Sequence, residues 1–171
     1  RVWRVDGRKG AHRAQELMRK QMHSAAIYCL VMDRIGLCAS ASLDRVVRLW
    51  DVQHDGAESA AFQHEEGVLC VAMREDIVAT GAIDGILRLW DKRSGSCVHT
   101  LVGHTDWIRG VGIHRDTLVT AGRDNTVRLW DARRGREVCR LCQPSDLDSE
   151  IRSVAVDSAG VVAGGADRGL P

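Results

Sequence analysis

The chain has 171 residues, 44% hydrophobic and 27% charged, with a formal net charge of +1; this is ordinary folding material of about one domain's length. A charge so close to balance argues against a DNA, RNA or acidic-membrane partner, and no run of about 18 apolar residues offers a membrane-spanning helix. Six cysteines are too few for a disulfide framework and point to a reducing compartment, cytoplasmic or nuclear, while two prolines argue against a disordered linker.

The chain opens on Arg1 and closes on Gly-Leu-Pro, and it reads as a fragment of a longer polypeptide. Residues 1–22 read as the end of a preceding repeat or a linker. Arg1-Val2-Trp3 resembles Arg88-Leu89-Trp90 further along. Ala11, Ala14, Met18 and Met22 fit helical spacing in a stretch of good helix formers, so a short helix over 11–22 is one expectation. A strand followed by a longer loop is the other.

From residue 23 to 171 the chain repeats itself, three times in full and a fourth time in part. Trp50-Asp51, Trp90-Asp91 and Trp130-Asp131 recur every 40 residues. Arg48, Arg88 and Arg128 precede them in register. So do Asp44, Asp84 and Asp124, and before those Ser40, Thr80 and Thr120. His64 and His104 keep the same period, and His23 lies 41 residues before His64. Within the third repeat, Val111 and Ile113 alternate with glycines as a strand requires, and Leu118–Ala121 makes a second strand. Asp124-Asn125 turns, Thr126–Trp130 is a third strand, and Glu137–Leu141 a fourth. The fourth copy begins at Ile151, after a polar insertion from Pro144 to Glu150. It has Ala163 in place of the hydroxyl residue, and no histidine precedes it.

A 40-residue period with Gly103-His104 early and Trp130-Asp131 late resembles the WD40 family over about residues 23–170. The resemblance implies an all-β fold, a partial WD40 β-propeller of four-stranded antiparallel blades. It also implies a framework network in each blade. The Trp indole N–H donates to the Ser or Thr hydroxyl, which bonds the His, which bonds the turn Asp. Carried onto this sequence, the sets are His23, Ser40, Asp44 and Trp50; His64, Thr80, Asp84 and Trp90; and His104, Thr120, Asp124 and Trp130. A buried indole N–H left without an acceptor costs about 1–3 kcal/mol, which is why the types travel together. Blades stabilise one another by stacking, so the terminal blades are expected to expose apolar faces and associate.

The resemblance implies a non-catalytic protein-interaction scaffold that uses its rim loops. No nucleophile elbow, phosphate loop or zinc-protease motif stands in the sequence, and neither cofactor nor metal is expected. Cys139-Arg140-Leu141-Cys142 lacks the second pair that a zinc site needs; Cys139, like Cys29, Cys38, Cys70 and Cys97, reads as strand packing. Trp107 stands outside the repeated Trp position, in a loop with Asp106 and Arg109. With Arg123 beside the turn Asp it forms a candidate partner-binding point, with loop packing as the alternative. Arg93 and Arg133 complete two W-D-x-R boxes, which resemble the segment by which WD40 substrate receptors contact the adaptor of a cullin–RING ubiquitin ligase. An F-box/WD-repeat receptor, a general signalling scaffold and a subunit of an RNA-bound particle are the alternatives.

Overall fold

A computed structural model describes residues 2–8, 11–18, 21–142 and 150–165. These residues form sixteen strands, and no helix occurs among them. The hairpin β1 (Val2–Arg8) and β2 (Ala11–Met18) comes first. Three complete sheets follow: β3 (Ile27–Met32), β4 (Leu37–Ser42), β5 (Val46–Asp51) and β6 (Ala57–Gln63); β7 (Val68–Arg74), β8 (Ile77–Ala82), β9 (Ile86–Asp91) and β10 (Cys97–Val102); β11 (Ile108–His114), β12 (Thr117–Gly122), β13 (Val127–Asp131) and β14 (Arg136–Cys142). The hairpin β15 (Ile151–Val156) and β16 (Val161–Gly165) ends the array. Every pairing is between antiparallel neighbours in sequence, as in propeller blades.

Residues 11–18 correct the helical expectation. Ala, Gln, Glu, Leu and Met favour a helix only weakly, and here a continuous ladder from Arg8↔Ala11 to Trp3↔Glu16 takes up the backbone groups instead.

The core lies in the seams between sheets. Val47, Leu49 and Phe62 of the first sheet pack with Val71, Val78 and Trp90 of the second. Leu87, Leu89 and Leu101 of the second pack with Ile108, Leu118 and Trp130 of the third. Val119, Ala121 and Val127 then meet Ile151. Trp90 and Trp130 therefore fill the seams towards their preceding sheets. The second strands are buried on both faces, and that explains their small residues, Leu-Cys-Ala-Ser-Ala-Ser, Ile-Val-Ala-Thr-Gly-Ala and Thr-Leu-Val-Thr-Ala-Gly. At Gly81 a Cβ would collide with Ile108 of the next sheet and with Cys70.

Both ends of each sheet turn on an aspartate. Asp44, Asp84 and Asp124 accept from the backbone N–H two residues on, at 3.1, 2.9 and 3.1 Å. The residue between is left-handed each time: Arg45, Gly85 and Asn125. Gly85 and Asn125 suit that conformation, whereas Arg45 adopts it at a cost of about 1–2 kcal/mol. At the opposite rim Asp51, Asp91 and Asp131 cap the third-to-fourth-strand turns in the same way.

Candidate functional site

The third sheet carries a closed chain of hydrogen bonds. Trp130 Nε1 donates to Thr120 Oγ1 at 2.8 Å, and Thr120 Oγ1 stands 2.7 Å from His104 Nε2. An indole N–H can only donate, so the threonine hydroxyl accepts from it and keeps its own proton for Nε2, while the Asp124 carboxylate on the far side of the ring can only accept. The ring proton then sits on Nδ1 and points at Asp124, 2.9 Å away. Thr126 Oγ1 donates to the same carboxylate at 2.7 Å. Burial opposes the charge on Asp124, but the bonds from His104 and Thr126 outweigh it and hold the carboxyl well below its usual range. All of this is interior, without substrate access, and suits a framework.

The first sheet brings His23 to Ser40 Oγ at 2.7 Å and to Asp44 at 2.8 Å. Burial there is likewise outweighed by the His23 hydrogen bond, which lowers Asp44. Trp50 does not join: its indole N–H meets no acceptor among the described residues. The second sheet breaks the chain at the other end. Trp90 Nε1, Thr80 Oγ1 and His64 Nε2 are linked at 2.9 and 2.8 Å, but His64 Nδ1 turns to the Phe62 carbonyl at 3.1 Å. Asp84 binds Arg88 instead, at 2.8 Å. Burial, with no carboxylate in contact, pushes His64 down to about 4.

Trp107 lies on the rim that carries these histidines. Two guanidiniums stand over its indole, Arg123 at 4.9 Å and Arg109 at 5.1 Å from the ring centroid. Glu150 ties them down, 2.9 Å from Arg123 and 3.8 Å from Arg109, and Asp106 stands 3.8 Å from Arg123. The Arg123 hydrogen bond, then Arg109 and Arg152, hold the Glu150 carboxyl below its usual range. Glu150 closes the polar insertion, 27 residues from Arg123. No local pattern in the sequence signals that contact.

Arg93 and Arg133 lie on the opposite rim, 82% and 79% exposed, beside Asp76 at 3.3 Å and Asp116 at 2.9 Å. The two candidate stations are thus at opposite ends of the strands and do not combine.

Cys38 and Cys70 are buried, and burial pushes both thiols up, so they stay protonated. Cys97 and Cys139 depart from the packing expectation: they are exposed on the outermost strands, where no further sheet covers them. Among the described residues no group of three or more His, Cys, Asp or Glu is placed to hold a metal ion.

A family model described as "WD domain, G-beta repeat" matches residues 15–51, 58–91 and 95–131. The crystal structure of the computationally designed Ika4 protein is similar, with a TM-score of 0.79 and 25% identity over 90% of this chain and 93% of that one. The designed Ika8 protein gives 0.72 and 24% over 85% of this chain, which spans 44% of Ika8. No curated protein matches the chain.

Proposed function

Because the chain belongs to the WD40 family, by three matched repeats that cover more than half of it, we propose that it is a protein-interaction scaffold whose contact point is the rim around Trp107. The family's fold generally serves protein binding and is generally non-catalytic; the choice of rim is a reading of this chain. The observation that carries it is the Arg109–Trp107–Arg123 stack. A half-exposed Trp braced by guanidiniums offers a rigid apolar face and directed N–H donors together, the composition of an interface anchor. A partner loop bearing a carboxylate next to an apolar side chain fits it, with its carboxylate taking the place of Glu150 on Arg123.

A second reading places a ligase adaptor on the opposite rim. Its support is that Arg93 and Arg133 occupy one register position and reach solvent. Their pairing with Asp76 and Asp116 weighs against it, since those contacts would have to open.

Affinity capture separates the two. The chain and its Trp107→Ala, Arg123→Ala and Arg93→Ala/Arg133→Ala variants are used as bait, and captured proteins are identified by mass spectrometry. The Trp107 reading expects specific partners to be lost with Trp107→Ala and weakened with Arg123→Ala, yet retained by the double variant. Loss with the double variant alone, with a cullin adaptor among the lost proteins, would replace it by the adaptor reading. Partners that survive all the variants sink both.

A further inference from the structure

The seams between the three complete sheets end differently at the rim that carries Arg93 and Arg133. At the first seam Lys92 of the second sheet reaches back to Asp33 of the first, 3.6 Å away, and its side chain is 11% exposed. Val52, Lys92 and Ala132 share one register position: their backbone N–H groups donate to the carbonyls of Gly36, Asp76 and Asp116, each in the turn between first and second strands. Asp33 and Arg74 correspond likewise, since they follow Met32 and Met73, which pair with Cys38 and Val78. At the second seam Ala132 therefore stands where Lys92 does, and Arg74 where Asp33 does. An alanine and an arginine cannot form that bridge, and a groove of about 380 Å³ runs along the seam instead.

The floor of the groove is apolar, built from Ile77, Ile113, Ala132 and Val98. Val98 reaches it from the outermost strand of the second sheet and is 48% exposed. A register shift there breaks the in-out alternation, so Val98 and its neighbour His99 both line the groove. The third sheet fixes the His99 ring: the turn at Gly135 comes so close that a Cβ there would collide with the imidazole. At the first seam Ala60 has the place of His99, and a Cβ on Gly95, the counterpart of Gly135, would meet nothing. The walls are charged. Arg133 is taken up by Asp116 at 2.9 Å, and Arg74 pairs with Glu75, its neighbour in sequence, at 3.3 Å. Arg115 is exposed and makes no ion pair among the described residues. Three guanidiniums thus stand against two carboxylates, and the one in excess has no partner.

We propose that this groove is a second protein-binding station, separate from Trp107, and that it takes a short acidic segment of a partner protein. One apolar side chain of the segment lies on the floor, and a carboxylate beside it is held by Arg115 and Arg74. The volume is at the lower end of ligand sites, room for a side chain or two and not for a whole cofactor. Charge complementarity selects the acidic segment. Arg115 presents a planar set of N–H donors that match a carboxylate, and nothing among the described residues occupies them. The Arg74–Glu75 pair is weak competition, because Glu75 is 79% exposed and solvent screens it. A nucleic-acid backbone would leave the apolar floor unused, and a net charge of +1 gives it no broad basic track.

The test selects a library of random peptides displayed on phage against the whole 171-residue chain. Enriched peptides are then synthesised with a fluorescent label and titrated by anisotropy. They should share Asp or Glu next to Leu, Ile, Val or Phe, and their binding should shift the His99 ring signals in nuclear magnetic resonance spectra. Arg115→Glu should weaken binding by about tenfold or more. The fold accepts that change, because Glu75 holds the same left-handed conformation at the same turn position. The double variant Arg74→Asp/Ala132→Lys copies the bridged first seam into the second, and should reduce binding below detection while leaving the urea midpoint where it was. Trp107→Ala should leave peptide binding unchanged. Failure to enrich any peptide, enrichment of peptides without acidic residues, binding to either groove variant as tight as to the parent chain, or loss of binding with Trp107→Ala would each overturn the proposal.

Discussion

The second and third sheets share strand order, turn geometry and the same four framework residue types, yet only the third closes its hydrogen-bond chain. The cause lies outside the four. In the third sheet Arg128 is buried and hydrogen-bonds Glu137 at 2.8 Å; it stands back at 3.8 Å from Asp124, whose oxygens are within hydrogen-bond reach of His104. In the first sheet Arg48 goes to Glu58 at 2.6 Å, and Asp44 holds His23. The second sheet has Cys97 opposite its Trp, where the others have glutamate. Arg88 therefore takes Asp84, and His64 falls back on a backbone carbonyl. Thr126, which braces both Asp124 and Arg128, corresponds to Ile86 there and can do neither. The repeated Arg and the turn His compete for one carboxylate, and the fourth strand decides the contest.

Acid should expose that difference most strongly. His64 is buried with a pKa near 4 against an ordinary 6.5. Between those values the unfolded chain binds a proton that the folded chain refuses, so stability is present above pH 6.5 and is lost as the pH falls towards 4. The loss approaches about 3 kcal/mol. Asp124 behaves otherwise: its lowered carboxyl contributes above the ordinary carboxylate range and is lost only below it. Urea unfolding monitored by Trp fluorescence should show a decline from pH 6.5 to 4 that His64→Gln largely removes. An unchanged decline in that variant would place the proton elsewhere.

Replacing the repeated Trp by Phe should come next in size. Trp90→Phe and Trp130→Phe each remove a donor from a threonine hydroxyl while keeping most of the ring packing, at about 1–3 kcal/mol. Trp50→Phe should cost well under half of that, because its N–H has no acceptor to lose. Equal costs in urea midpoints at all three positions would contradict the difference between the sheets.

Much of the scaffold could be read from the chain, because Trp, Asp and the hydroxyl residues recur at a period of 40 and strand and turn chemistry are local. The W-D aspartates cap their turns through neighbours two and three residues away. Of the two readings of residues 11–22, helix or strand, residues 11–18 form the strand, because propensity is local whereas the ladder with β1 is not. Which carboxylate each histidine meets was not legible either. It depends on Glu58, Cys97 and Glu137, which look like ordinary variation on an exposed strand. Glu150 on Arg123 was hidden for a similar reason, lying across a long insertion from its partner. A repeat reveals its shared residues; the differences that act are in the positions it leaves free.

The smallest effect is the most direct test of that competition. Cys97 is exposed and stands opposite Trp90, as Glu137 stands opposite Trp130. Cys97→Glu should place a carboxylate within reach of Arg88 without disturbing the core. Arg88 would then have two acceptors, and Asp84 could turn to His64 Nδ1 as Asp124 does to His104. A partly exposed ion pair adds little by itself, so the gain in stability should be about 0.5–1 kcal/mol. The histidine reports the switch more clearly than stability does. A carboxylate accepting its Nδ1 proton favours the imidazolium, so the His64 pKa should rise from near 4 towards its ordinary value. Nuclear magnetic resonance titration of the His64 ring would show it. A pKa that stays near 4 in the Cys97→Glu chain would mean that Arg88 keeps Asp84 even when offered another partner, and the contest would then be settled by the third strand alone.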